Sequence, residues 1–126
     1  SDMIRLLNII APEQIVLVSD AISAYGLGDG SFNWDNRLIK VEKGLCRLSN
    51  QTIAGSTLPL LEACKKIAKW VDDPSAAIWM ATISPRMVLA QKKLTTQSFL
   101  IGKNLKYLLR WKINSCNHEL SWQLAA

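Results

Sequence analysis

One acidic residue directly follows a short apolar run, and it is the residue of this chain best placed to do chemistry. Four consecutive apolar residues, 15–18, lead through Ser19 to Asp20. A short continuous apolar run predicts a strand buried on both faces, as in a parallel sheet. Because α/β proteins carry their chemistry at the carboxyl ends of such strands, Asp20 is the candidate acid or base. A role as N-cap of a helix over residues 21–25 remains open as the alternative.

A glycine-rich segment follows Asp20, with Gly26, Gly28 and Gly30 in alternate positions. Glycines at such spacing allow positive φ angles and close approach of a ligand to the backbone. A dinucleotide-binding fingerprint would place the glycines directly after the strand and at the start of a helix. In this sequence they come later and are not followed by a helical pattern. The segment is therefore interpreted as an active-site or surface loop. Asp29 could share a site with Asp20, although it does not follow a second predicted strand.

The other residue types that often carry chemistry are few. The three cysteines, Cys46, Cys64 and Cys116, lie far apart without a CxxC spacing, which argues against a zinc site or a disulfide framework and for reduced thiols. The single histidine, His118, falls in a predicted turn, where a surface position is the simpler interpretation. No nucleophile–histidine relay can be assembled from these residues.

These residues must be positioned by a series of short elements. A polar segment after Gly55 leads into a helix, and its free N–H groups would suit an anion, although an ordinary cap is equally compatible. The patterns predict a helix over 3–10, a hairpin of 37–42 with 45–48, helices over 58–71, 76–82 and 84–90, a polar loop over 91–98, and a terminal hairpin of 105–113 with 119–124.

Composition limits the class of protein. The chain has 126 residues, 49% of them hydrophobic, and a formal net charge of +5, which favours anionic partners. It contains no apolar run long enough for a membrane span and does not start like a signal peptide. A cytoplasmic protein is expected from the three cysteines, which are interpreted as reduced thiols. A basic, aromatic tail raises the alternative of nucleic-acid binding, although a solvated hairpin explains it as well. The residues of this tail are Lys103, Lys106, Tyr107, Arg110, Trp111, Lys112 and Trp122.

Four stretches, taken in order, resemble the C-terminal third of the N-acetylglucosamine-6-phosphate deacetylases, which are members of the amidohydrolase superfamily. The resemblance runs from about Met3 to Ala90. The stretches are Leu17–Ala21, Tyr25–Gly30, Gly44–Arg47 followed by Thr52–Leu58, and Met80–Thr82 followed by Ser84–Arg86.

This resemblance implies a mechanism and its residues. A divalent metal, zinc or iron, would activate water and polarise the acetamide of N-acetylglucosamine 6-phosphate, giving glucosamine 6-phosphate and acetate. Asp20 matches the acid that moves the proton from the metal-bound water to the leaving amine. Ile53, Ala54 and Gly55 match the segment that lines the sugar site. The family's metal ligands, a glutamate and two histidines on earlier strands, have no counterpart in this chain, so no metal bound by this chain alone is expected.

The resemblance also implies the architecture. It predicts an α/β fold that is the C-terminal portion of a (β/α)8 barrel, with residues 1–90 carrying the last barrel strand, an inserted hairpin and helices, and 91–126 a loop and the hairpin of a small β domain. The edges of an unpaired barrel strand need covering, so the chain is expected to repack or to self-associate through that strand. Its expected partner is a second copy in a homo-oligomer, or a missing N-terminal part. The alternative is a free-standing, non-catalytic α/β module that binds anionic partners such as nucleic acid, and no membrane is expected in either case.

Overall fold

The computed structural model describes residues 2–90, 100–114, 116, 117 and 119–126. The chain divides into two compact units. The sheet unit comprises residues 18–63, and the helical unit comprises residues 1–17 together with 64–126.

The sheet unit is built on four antiparallel strands paired in chain order. They are β1 (Gly30–Trp34), β2 (Arg37–Glu42), β3 (Leu45–Leu48) and β4 (Ile53–Ser56). The two-residue turn between β2 and β3 has Lys43 at φ 50° and Gly44 at φ 79°, as a tight hairpin with matching twist requires. The predicted hairpin of β2 and β3 is therefore confirmed, while β1 and β4 were not predicted as strands.

The core of the sheet unit follows from the alternation of side chains along β2 and β3. Ile39 and Val41 on β2 and Cys46 on β3 are buried, and Ala24 packs with them. Lys40 and Glu42, at the intervening positions of β2, are exposed. One face of this sheet is therefore apolar and packed, and the other is polar and open to solvent.

Helices dominate the helical unit. The structure has α1 (Asp2–Ile10), α2 (Leu60–Val71) and α3 (Pro74–Ala90), which confirms the first two predicted helices within a few residues. The start of α3 is also as predicted, because the Asp73 carboxylate accepts the Ala76 N–H at 3.0 Å and Pro74 takes the first helical position. The buried residues of this core are Cys64, Ile67, Ala68, Ala77, Met80 and Leu120.

The break predicted near Ser84 and Pro85 is wrong, because α3 continues through both residues to Ala90. The prediction used Ser84 as a cap for a new helix. In the structure the buried Ser84 hydroxyl instead donates to the Glu13 carbonyl oxygen at 3.0 Å. The helix is continuous at this point although Pro85 lacks an N–H.

The predicted buried strand over 14–21 is also wrong. Residues 12–14 form a turn, 15–20 have no regular secondary structure, and Val18 is 65% exposed. Ile15 and Leu17 pack against the helical core, and the Leu17 N–H donates to the Met80 carbonyl oxygen at 2.9 Å. The apolar run is thus explained by packing on helices rather than by burial in a sheet. The strand on which the prediction of self-association rested is therefore absent.

The chain is α/β with antiparallel sheets, and the parallel pairing found among the described residues is a single bridge between Ala21 and Ser56. The predicted terminal hairpin is confirmed as β5 (Leu109–Ile113) paired with β6 (Leu120–Leu124), preceded by a 3-10 turn over Leu105–Tyr107. The predicted loop over 91–98 and His118 lie outside the described residues. Within the described ranges, no helix combines the length and apolar character that crossing a membrane requires.

Candidate active site

The segment that carries Asp20 is joined to the end of β4 by three hydrogen bonds. The Ser56 N–H donates to the Asp20 carbonyl oxygen at 2.8 Å, and the Ile22 N–H donates to the Ser56 carbonyl oxygen at 3.1 Å. The Ser56 hydroxyl donates to the Ser19 carbonyl oxygen. Residues 19–22 are therefore held at the end of β4 by Ser56, through a single isolated bridge between Ala21 and Ser56.

The backbone at Asp20 has φ 48°, in the left-handed region that aspartate and asparagine tolerate better than most residues. Asp20 is exposed, and residues 23–26 form a turn rather than a helix. The alternative that Asp20 caps a helix over 21–25 is therefore wrong. Within the described part of the chain, no side chain bonds or pairs with the Asp20 carboxylate, which leaves it available to a ligand.

Gly55 brings the second predicted site segment against Asp20. It is buried, with φ 144°, and a Cβ built on it would lie 2.9 Å from the Asp20 carbonyl oxygen and 2.7 Å from Cγ2 of Ile22. The same Cβ position is 3.8 Å from Oδ2 of Asp20. Only glycine fits here, because any side chain would collide with the backbone that carries Asp20.

The other two predicted site residues, Ile53 and Ala54, have different surroundings. Ala54 packs against the core of the sheet unit, whereas Ile53 is 58% exposed. The structure therefore brings Gly55 to Asp20, packs the partly buried Ala54 against the core of the sheet unit, and leaves Ile53 at the surface. An exposed apolar side chain at this place is compatible with contact to a sugar face, and that role remains a prediction.

Asp29, the possible partner of Asp20, has a structural task. Both oxygens of its carboxylate accept the Lys43 N–H, at 3.0 and 3.1 Å. Asp29 thereby accepts the backbone N–H of Lys43, which lies in the turn between β2 and β3 and outside their pairing. Sequence reasoning missed this role because the two residues are far apart along the chain.

Cys46 lies opposite Gly55 in the pairing of β3 with β4. Its thiol is buried, and burial raises the pKa of Cys46 above the ordinary thiol value. A thiol with a raised pKa is protonated at neutral pH and is therefore a poor nucleophile. The chemistry available next to Gly55 is that of the Asp20 carboxylate.

A metal site requires three or four ligands with suitable donor atoms. Among the residues that the structure describes, no three His, Cys, Asp or Glu side chains are grouped so that they could hold a metal ion. Asp20 alone does not constitute such a site. The described residues of this chain therefore do not fit a metal centre by themselves.

Comparison with known proteins identifies relatives of one kind. The chain is 33% identical over 73 residues to N-acetylglucosamine-6-phosphate deacetylase of Vibrio furnissii, a match covering 57% of this chain and 18% of the relative. It is 32% identical over 80 residues to a putative N-acetylgalactosamine-6-phosphate deacetylase of Escherichia coli K12, covering 63% of this chain and 48% of the relative. The chain thus spans less than half the length of both relatives. No protein-family profile matches it.

Solved structures point the same way. The N-acetylglucosamine-6-phosphate deacetylase of Thermotoga maritima superposes with a TM-score of 0.64 at 32% identity, over 71% of this chain and 25% of that one. The enzyme of the same name from Pasteurella multocida superposes over 98% of this chain and 32% of that one, with a TM-score of 0.69. At 20% identity this second match supports the fold alone. The resemblance drawn from the sequence is therefore confirmed: over about 60% of its length, the chain is related to part of the N-acetylglucosamine-6-phosphate deacetylases.

Proposed function

We propose that this chain supplies the proton-transferring carboxylate and one wall of the sugar site of an N-acetylglucosamine-6-phosphate deacetylase. The substrate class is supported by the relatives, which are named as sugar-phosphate deacetylases. We propose with it that the complete enzyme has a barrel fold and uses a divalent metal. Because the described residues group no ligand set, the divalent metal would need ligands from elsewhere.

Asp20 has the chemistry that amide hydrolysis requires. A base must take a proton from the attacking water, and an acid must protonate the nitrogen as the C–N bond breaks. One carboxylate can do both in turn, since it is protonated in the first step and gives the proton up in the second. The Asp20 carboxylate is exposed and is unbonded among the described residues, so it can accept and release that proton without breaking a protein contact.

The observation that carries the proposal is the close approach of Gly55 to Asp20. Two segments that are 35 positions apart in sequence, and that were assigned to one site only by resemblance, meet where a Cβ would be 2.9 Å from the Asp20 carbonyl oxygen. The segment that is predicted to line the sugar and the segment that carries Asp20 are thereby joined by hydrogen bonds at the end of β4.

Binding by the chain itself is the first test. Titration of the labelled chain with N-acetylglucosamine 6-phosphate should shift the amide NMR signals of Asp20 and of residues 53–56. Glucosamine 6-phosphate, which lacks the acetyl group, should shift them less. Absence of any shift at these residues at millimolar ligand would contradict the proposal.

Turnover is the second test, in a chimera where the matching residues of this chain replace the aligned segment of the Vibrio furnissii relative. We expect Asp20→Asn to lower acetate release by about 100-fold or more, the usual contribution of a general acid–base. Asp35→Asn is the matched control, since Asp35 is exposed, lies in the same unit and has φ 52°. Both changes remove one charge at a left-handed backbone position. Full turnover by the Asp20→Asn chimera would remove Asp20 from the mechanism.

A further inference from the structure

The outer face of the sheet unit carries a groove of about 590 Å³, a size typical of small-ligand sites. It is lined by side chains of β1, β2 and β3 and of the turns that follow β2 and β3. Neither Asp20 nor Gly55 lines it. The groove is thus a concave surface with both polar and apolar lining, and it is formed by residues other than those of the candidate active site.

Three cationic side chains line this groove. Lys40 and Arg47 lie directly opposite each other in the pairing of β2 with β3, and Lys43 follows in the turn. Like charges placed directly opposite on one face of a sheet repel each other. Glu42 is the acid among the lining residues, and its carboxylate is 3.5 Å from the Lys40 ammonium. The groove therefore keeps an excess of positive charge that an anion would neutralise.

Two of the cationic residues are held by the fold. Nη1 of Arg47 donates to the Gln51 carbonyl oxygen at 2.8 Å, which anchors the guanidinium and leaves its other N–H groups for a second acceptor. The Asp29 carboxylate fixes the backbone of Lys43. A planar, anchored guanidinium in a groove that two lysines also line suits a phosphate, which offers several oxygens to more than one donor.

Leucine side chains supply an apolar part of the same surface. Leu38 and Leu45 line the groove, and Leu38 is 56% exposed. Apolar surface beside a cationic cluster favours a ligand with a carbon body attached to its anionic group. A bare inorganic ion would leave this surface uncovered.

We propose that this groove binds a phosphate monoester with a small organic body, at a site distinct from Asp20 and Gly55. The inference goes beyond the proposed function and does not depend on it. Lys40 and Arg47 would hold the phosphate, Lys43 would add a third cation, and the leucines would contact the carbon body.

Calorimetric titration of the full chain with glucose 6-phosphate, inorganic phosphate and glucose tests the assignment. Glucose 6-phosphate should bind most tightly and glucose not at all, and binding should weaken between about 50 and 200 mM salt because the contacts are charged. Glucose binding as tightly as its phosphate would overturn the assignment of an anion site. Inorganic phosphate binding as tightly as the ester would overturn the assignment of an organic ligand.

Variants locate the site. Lys40→Gln should weaken glucose 6-phosphate binding about tenfold, the effect of losing one charge-assisted hydrogen bond. Glu42→Gln should strengthen it, because it removes the acid of the groove. Lys112→Gln is the matched control, since Lys112 is an exposed strand lysine on β5 in the other unit, and its affinity should be unchanged. Equal losses in the Lys40 and Lys112 variants would show a general charge effect and overturn the site.

Two further variants keep the test decisive. If Lys40→Gln lowers the thermal unfolding midpoint, Lys40→Arg, which keeps the charge, must retain the affinity, and its failure to do so would overturn the role of Lys40. Asp20→Asn should leave glucose 6-phosphate binding in the groove unchanged. A loss of that binding in Asp20→Asn would overturn the separation of the two sites.

Discussion

Replacement of Gly55 by alanine is the most direct test of how Asp20 is held. The added Cβ would lie 2.7 Å from Cγ2 of Ile22 and 2.9 Å from the Asp20 carbonyl oxygen. The second contact is with backbone, which cannot rotate away. The φ angle of 144° adds strain, because side chains rarely adopt it. Both effects act on the native state, so the sheet unit should lose stability.

The size of the loss can be estimated from these two effects. Backbone strain at such a φ angle costs about 1–3 kcal/mol, and overpacking costs about 1–3 kcal/mol. We therefore expect Gly55→Ala to lower the free energy of unfolding by about 4 kcal/mol. Gly28→Ala is the matched control, since Gly28 has φ 78° in the same unit but nothing within 4 Å of its Cβ position. That control should cost only the strain, about 1–2 kcal/mol.

Urea titration followed by the amide NMR signals of Ile39 and Val41 reports on the sheet unit, because both side chains are in its core. With a slope of about 1.5 kcal/mol per molar urea, the midpoint should fall by roughly 2–3 M in Gly55→Ala and by about 1 M in Gly28→Ala. Amide exchange at Ser56 should also accelerate in Gly55→Ala, because its bond to Asp20 is displaced. Equal midpoints for the two variants would refute the close packing of Gly55 on Asp20.

Two further predictions concern the helical unit. Ser84→Ala should lower the free energy of unfolding by about 1–3 kcal/mol, because it removes the donor to the Glu13 carbonyl, whereas Ser75→Ala at an exposed position of α3 should change it little. Equal unfolding midpoints in urea for these two variants would contradict the role of that bond. Burial raises the pKa of the Cys64 thiol from 9.0 to about 11. The contribution of the protonated thiol to the free energy of unfolding is therefore complete below pH 9 and is lost as the pH rises towards 11. This loss should amount to about 2–3 kcal/mol in the unaltered chain and be absent in Cys64→Ala. Urea midpoints measured from pH 8 to 11 test it. The same pH dependence in both chains would show that Cys64 does not cause the loss of stability.

Sequence patterns correctly predicted the helices and strands that depend on residues close together along the chain. The hairpin of β2 and β3 follows from alternation around Lys43 and Gly44, and the start of α3 follows from the Asp73–Pro74 pair. The helical periodicity of residues 58–71 likewise needs no tertiary information. These are patterns in which neighbours along the chain supply the hydrogen bonds or the buried face.

The wrong predictions share a different cause, which is a partner distant in sequence. Ser84 was interpreted as a helix cap, but its hydroxyl donates a hydrogen bond to the carbonyl oxygen of Glu13. Residues 15–18 were interpreted as a buried strand, but the Leu17 N–H donates to the carbonyl oxygen of Met80 on α3. β4 was missed for two reasons. Its pairing with β3 shifts register between Cys46 and Arg47, and its last residues, Gly55 and Ser56, do not continue an alternation of apolar and polar side chains.

Asp20 lies beside a predicted site segment although the strand that was predicted to carry it is absent. The prediction placed Asp20 at the end of a parallel strand, and that strand is absent, yet Asp20 still lies beside the predicted sugar-lining segment. The reason is that Ser56 supplies the hydrogen bonds that a neighbouring strand would have supplied, through a single parallel bridge to Ala21. The contact between the two segments therefore depends on the end of β4 and not on residues 15–18.

The same sheet separates the two proposed sites through neighbouring residues of β3. Cys46 is buried and lies opposite Gly55, whereas Arg47, the next residue, lines the groove on the outer face. Because successive side chains of a strand face opposite sides, a substitution in the groove leaves the packing around Gly55 intact. Loss of phosphate binding in Lys40→Gln and loss of turnover in Asp20→Asn would thus report on two faces of one small sheet.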